Sequence, residues 1–406
     1  MPDETIETLV IGGGQAGLTM SHRLKQRGLP HLVLERRRIA ERWRSERWDG
    51  LKFQFPNWSV RLPDFPFPHD DPDAFSDSDT IVKYIEAYAA FVAPPIRCEV
   101  AVTRLAQRDG GFIAETAEGT ISAKNVVVAT GPYQRNIIPD LLGGHPVFQV
   151  HASDYKNPEQ LPPGAVLVAG AGASGAQISE ELQRAGRRVF LSISRHRRLP
   201  RRYRGRDLMW WLAEMRLDQM TPEERGSARL GPVISGAYGG RTIDFRNFAA
   251  DGMTLVGRLE SAHDGIIEIA PGLAESLIDA DLVYTTFLGT VDAYVKRRGL
   301  EMPEDPDARM TAVADPPCVT APLTRLDLAA EGISSVVWAT GYGVDFGWID
   351  LPVLDERGDA VHHNGISEVP GLYFLGLQWL SKMNSSFLSG VGDDAAVLAD
   401  HIRGRR

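Results

Sequence analysis

Gly12, Gly14 and Gly17 carry the spacing G-x-G-x-x-G, and Gly170, Gly172 and Gly175 repeat it 158 residues on (170 − 12) without a gap. Such glycines act through the backbone. The first permits a tight turn, the second lets the main chain approach a pyrophosphate with no Cβ in the way, and the third lets a helix pack closely on a strand. The anion is then held by the free N–H groups at the helix start. Gln15 and Ala16 in the first triplet, and Ser174 in the second, fill the intervening places and belong to the same expected cradles. The two cradles lead into different residues. Glu35, with Arg36 after it, stands 23 residues beyond Gly12 (35 − 12), where a carboxylate accepts hydrogen bonds from a ribose diol. Under the same offset Glu35 falls on Ile193, and Ser194 and Arg195 come next. A 2′-phosphate would be repelled by an acid and needs donors and positive charge. The first unit is therefore expected to hold FAD or NAD, and the second NADPH. Seven arginines lie from Arg195 to Arg206. Charge runs are usually solvated faces, so only Arg195 is put forward as the phosphate ligand.

The elements that must position these residues are legible. Thr8–Ile11 reads as a buried strand, Ala16, Met20 and Leu24 lie four apart on one helix face, Gly28 suits a C-cap, and His31–Leu34 reads as the next strand. The second copy, Ala165 to Arg195, repeats the order, with Ile178, Leu182 and Ala185 turned inward. A third constellation is NVVVATGPY, Asn125 to Tyr133, and SVVWATGYG, Ser335 to Gly343. Each is a buried strand ending in Ala-Thr-Gly, which places Ala129, Thr130 and Gly131 beside a ligand or a neighbouring domain. Taken as crossover points, they predict an α/β fold of two Rossmann-like dinucleotide-binding domains, the NADPH domain inserted into the FAD domain. Residues 1–155 and 326–406 would form the FAD domain, and 156–325 the NADPH domain with a region for substrate.

Between the motifs, Glu41 to Ser59 holds three tryptophans, of which Trp43 and Trp48 either cover a flavin or cap the sheet. A helix is expected over about Ser78–Phe91, a hairpin turns at Asp109–Gly111, and helices are expected over Asp207–Arg216 and Ala274–Arg298. Near the C-terminus, Leu372–Leu375 reads as a strand ending at Gly376, and a helix begins around Gly392. Its glycine-rich entry would aim a positive helix end at a reduced flavin, with Gln378 as the polar side chain touching the isoalloxazine.

The chain has 406 residues, 43% hydrophobic and 24% charged, ordinary values for a globular protein of two or three α/β domains. A net charge of −9 argues against nucleic acid as a partner. Cys98 and Cys318 are the two cysteines, so there is neither a disulfide framework nor a C-x-x-C pair. The acidic MPDETIET start fits no signal or transit peptide, and no run reaches the ~20 apolar residues of a membrane span. A cytoplasmic enzyme is the expectation.

Together with the closing GLYFLGL…SGVGDDA segment, these motifs resemble the class B flavin-dependent monooxygenases, especially the flavin-containing monooxygenase branch with the plant YUCCA enzymes. The resemblance spans nearly the whole chain. It is most specific in Leu51 to Pro68, in Arg195 with Leu199-Pro200-Arg201, and in the C-terminal segment. It implies FAD in the first unit and NADPH in the second, with Glu35 on the FAD ribose, Trp43 and Gln54 by the flavin, Val102 near the adenine and Arg195 on the 2′-phosphate. Of the family's F-x-G-x-x-x-H-x-x-x-Y/W linker only His151 and Tyr155 survive, since His145 and Val147 replace the first two places. Asn57 stands where animal members place an asparagine over the flavin, and is the candidate catalytic residue. The implied chemistry is activation of O2 as a C4a-(hydro)peroxyflavin and oxygenation of a small organic substrate, at an amine, a sulfide or a carbonyl. The alternative is an NADPH-dependent flavoprotein reductase of the ferredoxin–NADP reductase type, without a redox disulfide. No metal is called for, and a homodimer is left open.

Overall fold

The computed structural model describes residues 4–225, 231–309 and 314–405. The first three residues of the acidic lead-in lie outside them.

Strand β1 (Glu4–Ile11), helix α1 (Gln15–Gln26) and strand β2 (His31–Leu34) form the first βαβ unit, β1 and β2 pairing in parallel from Thr8 opposite His31 to Ile11 opposite Leu34. Met20 and Leu24 of α1 are fully buried on the sheet. The helix ends because Gly28 takes φ +65°, letting its N–H and that of Leu29 turn back onto the carbonyls of Lys25 and Leu24, 3.0 Å each. After α2 (Ser78–Val92) come β3 (Ile96–Arg97), β4 (Val102–Arg108), β5 (Gly111–Thr116) and β6 (Gly119–Val128). The last is the first Ala-Thr-Gly strand, parallel to β1 on the side away from β2.

β7 (Phe148–His151) leads to the second unit: β8 (Ala165–Ala169), α3 (Ala173–Arg184) and β9 (Val189–Ser192). Gly186 ends α3 in the same way, at φ +79°, with Arg187 N–H donating to Leu182 O at 3.0 Å. Next in the chain are α4 (Leu208–Glu214), β10 (Thr254–Val256), the 26-residue α5 (Leu273–Arg298), β11 (Ile333–Trp338), β12 (Ile349–Asp350), β13 (Leu372–Phe374) and α6 (Val391–Gly404).

The strands gather into two principal sheets. One has eight strands in the order β12-β4-β5-β6-β1-β2-β3, with β13 also paired to β6; the other has five, in the order β7-β11-β8-β9-β10. The second Ala-Thr-Gly strand, β11, therefore lies beside β8 as β6 lies beside β1. This differs from the division drawn on the sequence, which gives Phe148–His151 and Ile333–Trp338 to the first domain. Both strands hydrogen-bond into the second sheet, because each glycine unit needs its own parallel strand on the flank opposite β2 or β9 to bury its central strand.

Where the chain passes between sheets, the two Ala-Thr-Gly loops are tied together. Arg135–Asn136 pairs antiparallel with Tyr342–Gly343, Gln134 N–H donates to Gly343 O at 3.0 Å, and Ile137 N–H donates to Gly341 O at 3.1 Å.

Candidate active site between two glycine turns

A cavity of about 620 Å³ opens between the sheets. One wall is the first glycine turn with Gly12, Gly14, Gln15 and Ala16; the facing wall carries Gly172 and Ser174 of the second. The glycines are required by space. A Cβ on Gly12 (φ +118°) would stand 2.5 Å from Ala129 O, and one on Gly170 (φ +103°) 2.6 Å from Ala339 O, so each turn nests into its own Ala-Thr-Gly loop. On Gly17 and Gly175 a Cβ would come within 1.8 and 1.9 Å of Gly12 O and Gly170 O, which holds helix against strand. Gly14 and Gly172 differ: a Cβ on either meets nothing within 4 Å. Both are helix N-caps without a capping side chain, so the first N–H groups of α1 and α3 have no side-chain acceptor there.

Glu35 lies just past β2, accepting from Gly13 N–H at 2.6 Å through one carboxylate oxygen and from Arg37 N–H at 2.9 Å through the other. Each oxygen keeps a lone pair for a further donor. A Cβ on Gly13 would stand 2.8 Å from Glu35 Cβ, so the middle glycine of Gly12-Gly13-Gly14 is needed to admit this carboxylate. The spacing rule gives that place no role. In the second unit Ile193 is buried in place of the acid and donates its N–H to Val256 O at 2.8 Å. Ser194 and Arg195 are exposed just beyond it, outside the cavity lining, and Arg195 has no ion-pair partner among the described residues. The arginines after it divide otherwise: Arg198 is buried against Asp244 and Asp281, and Arg201 against Asp207, so these hold structure.

Arg36, Trp43, Gln54, Val102, Ala129, Thr130, Gly131 and Gly376 all line the cavity. Trp43 meets Phe53 edge-on at 5.4 Å, Phe53 meets Phe55 at 5.1 Å, and Phe55 meets Phe387 at 4.8 Å, a continuous aromatic wall. Trp48 joins the lining but is buried in the second sheet's apolar cluster. Arg201 donates to Gln54 O at 2.7 Å, which fixes this wall to the second sheet's side of the molecule. Gln15 holds the opposite segment by donating to Ser386 O at 2.8 Å. Gln134 pins the first Ala-Thr-Gly loop through Thr130 Oγ1 and Gly131 O, at 3.0 and 2.7 Å.

Not every expected residue reaches the cavity. Asn57, the catalytic candidate, is 8% exposed, donates to Asp71 O at 3.0 Å and accepts from Ser76 Oγ at 2.7 Å. Its amide is used at both ends to fasten its own segment to residues 71–76, and it is not among the lining residues. Gln378 is exposed at the rim and donates to Tyr133 Oη at 3.1 Å. The N-terminal turn of α6 carries Asp393 and Asp394, with Lys382 on the former and Ser381 on the latter, so its positive end already faces carboxylates of its own. Burial raises the Asp394 carboxyl above its ordinary value.

Motif spacing also passes over a cluster at the joint. Tyr133 and Tyr342 meet at 5.2 Å and His151 packs on Tyr342 at 5.0 Å, all three lining the cavity. Each tyrosine comes closely after an Ala-Thr-Gly, in ATGPY and ATGYG, which is the signal that could have found them. His151 bonds Gly341 O at 3.1 Å and Ser153 Oγ at 3.0 Å, and burial holds it below its ordinary value.

Comparison with known proteins agrees with this geometry. Residues 9–220 match the model of the family described as pyridine nucleotide-disulphide oxidoreductase. A CzcO-like oxidoreductase of Geobacillus kaustophilus is 33% identical over 402 residues, 98% of each chain. The chain belongs to the pyridine nucleotide-disulphide oxidoreductase family. Part of the chain is also similar to flavin-dependent monooxygenases. The indole-3-pyruvate monooxygenase YUCCA1 of Oryza sativa is 34% identical over 191 residues, 46% of this chain and 47% of that one. The flavin-containing monooxygenase of Stenotrophomonas maltophilia shares the fold, with a TM-score of 0.68 and 18% identity over 99% of both chains. The chain's two cysteines, Cys98 and Cys318, stand 220 residues apart (318 − 98) and form no C-x-x-C pair.

FAD and NADPH, the cofactors of this group, suit what the two turns offer. Uncapped helix starts behind Gly14 and Gly172 face open space, as a pyrophosphate requires. An acid stands after one turn, and after the other an arginine with no ion-pair partner among the described residues. Among the described residues no group of three or more acidic, histidine or cysteine side chains is placed to hold a metal, and no helix is long and apolar enough to cross a membrane.

Proposed function

We propose that this protein is a cytoplasmic, NADPH- and FAD-dependent monooxygenase that places one atom of O2 on a small organic substrate. The observation that carries the reading is one cavity lined by residues of both glycine turns, the first backed by a carboxylate and the second followed by an exposed cation. The two sheets would be the cores of two dinucleotide-binding domains, the second inserted into the first between about residues 148 and 338.

Gly12, Gly14, Gln15, Ala16 and Gly17 would hold the FAD pyrophosphate at the start of α1, with Glu35 and Arg36 at its ribose and Val102 near its adenine. Ala129, Thr130, Gly131, Gly376 and Trp43 would border the ring, and Gln378 would sit at its rim. Gly170, Gly172, Ser174 and Gly175 would hold the NADPH pyrophosphate, with Ser194 and Arg195 on the 2′-phosphate. Bound, the pair supplies hydride transfer and oxygen activation. The chain's own work is positioning and drying. The Trp43–Phe53–Phe55–Phe387 wall excludes water from the ring side, and the Tyr133–Tyr342–His151 cluster closes the joint at which the two nucleotides meet. Burial holds His151 below its ordinary value, which disfavours a positive charge at that joint.

The test is oxygen uptake with NADPH under 18O2, screening amines, sulfides, ketones and 2-oxo acids. One labelled oxygen atom in the product of a substrate that stimulates uptake is the expected result. NADPH-driven reduction of an added one-electron acceptor, with no label in any product, would make the protein a flavoprotein reductase instead.

A further inference from the structure

The exposed face of α5 carries a pattern that the fold of one chain does not use. Ile278 is 58% and Leu282 65% exposed, and both lie on one stripe with Thr285, Gly289 and Ala293, successive members standing four, three, four and four residues apart on one helix face. Gly289 is the informative member. Glycine weakens a helix interior and is usually kept there to let another backbone approach. Among the described residues nothing approaches: a Cβ on Gly289 would meet no atom within 4 Å. The threonine hydroxyls near it are spent on the helix's own carbonyls, Thr285 donating to Asp281 O at 3.0 Å and Thr290 to Thr286 O at 2.9 Å.

We propose that this face is the contact of a two-fold homodimer, in which two copies of α5 cross antiparallel about Thr285 and Thr286. The occupant is set by the pattern itself. In that arrangement Leu282 of each copy lies over Gly289 of the other and Ile278 lies over Ala293, so a large side chain meets a small one at every step. The ends match in charge as well: Glu275 at the start of the stripe comes beside Lys296 at its end, and both are exposed without a partner among the described residues. A parallel pair would set Glu275 against Glu275. Two-fold symmetry is the commonest closure for a homo-oligomer, and a self-complementary stripe is what it demands.

Sedimentation velocity on the full-length protein, across a dilution series, is the test. The wild type should sediment at twice the 44.6 kDa of one chain. Leu282→Glu should sediment as a monomer while retaining its far-UV circular dichroism. Gly289→Leu should also be monomeric while raising the thermal midpoint of the chain, a combination that misfolding does not produce. Glu275→Lys and Lys296→Glu should each weaken the dimer about three-fold, and the double charge swap should restore it. A wild type that stays monomeric at every concentration would overturn the proposal, as would a dimer indifferent to both Leu282→Glu and Gly289→Leu.

Discussion

The two glycine turns are the same device finished in two ways. In both, a parallel strand ends in a glycine with positive φ that nests on an Ala-Thr-Gly loop, a second glycine faces open space, and a third lets the helix close on the strand. The difference begins one residue past the next strand. In the first unit that residue is Glu35, drawn back over the turn by Gly13 N–H; in the second it is Ile193, buried in the sheet, with Ser194 and Arg195 projecting beyond it. A carboxylate over the turn would repel a third phosphate, whereas an apolar residue there leaves that place to the next cation. On the proposed reading, that one position would decide which nucleotide each turn tolerates, on two turns built alike.

The sharpest way to break this pairing is to fill the third glycine in each unit. A side chain at Gly17 or Gly175 would overlap a backbone carbonyl, so Gly17→Val and Gly175→Val should each disable one turn. Gly175→Val is expected to purify yellow with its flavin, yet to lose NADPH-driven flavin reduction by at least about 100-fold, roughly 3 kcal/mol. Gly17→Val is expected to purify without flavin. Absorbance of the purified proteins and stopped-flow reduction read both results. If Gly175→Val also came out colourless while folded, the turns would not be separate sites.

A smaller effect sharpens the contrast between Glu35 and Arg195. Arg195→Ala should cost about 1.5–3 kcal/mol of NADPH affinity, roughly ten- to hundred-fold in Kd, and leave NADH nearly unchanged. Isothermal titration with both nucleotides measures it. Equal losses would place the 2′-phosphate elsewhere.

Much of this contrast is legible in the sequence because it lives in local rules. The spacing of glycines, the period of Ala16, Met20 and Leu24, and the acid at residue 35 are all set within a few turns of chain, and the structure puts each where its spacing implies. The rest depends on long-range placement. In sequence both Ala-Thr-Gly strands look like edges of one inserted domain, but β6 and β11 close different sheets, a choice made by tertiary pairing. Asn57 has the residue type for a flavin contact, yet Asp71 and Ser76 take both ends of its amide. The arginines from Arg198 onward look alike in sequence; the arrival of Asp244 and Asp281 from elsewhere makes Arg198 structural, and a short hairpin that brings Asp207 back makes Arg201 so. The aromatic wall is hidden beyond Trp43 because Phe387 joins Phe53 and Phe55 from the far end of the chain.

The smallest effect belongs to the seam between the turns. His151 contacts Gly341 of one Ala-Thr-Gly loop and packs on Tyr342, and burial holds its folded value below the ordinary ~6.5. The sign comes from linkage. As pH falls below ~6.5 the unfolded chain takes up this proton before the folded one does, so stability is complete above that value and is lost as pH descends toward the depressed folded value. His151→Gln keeps an amide N–H to reach Gly341 O but cannot be protonated. Its unfolding free energy, measured by denaturant titration from pH 7.5 to 5.5, should decline less than the wild type's. Part of the decline should remain, because burial also lowers His31 beside the first unit and His196 beside the second. An unchanged slope in His151→Gln would mean that acid opens the two units themselves before it opens the seam between them.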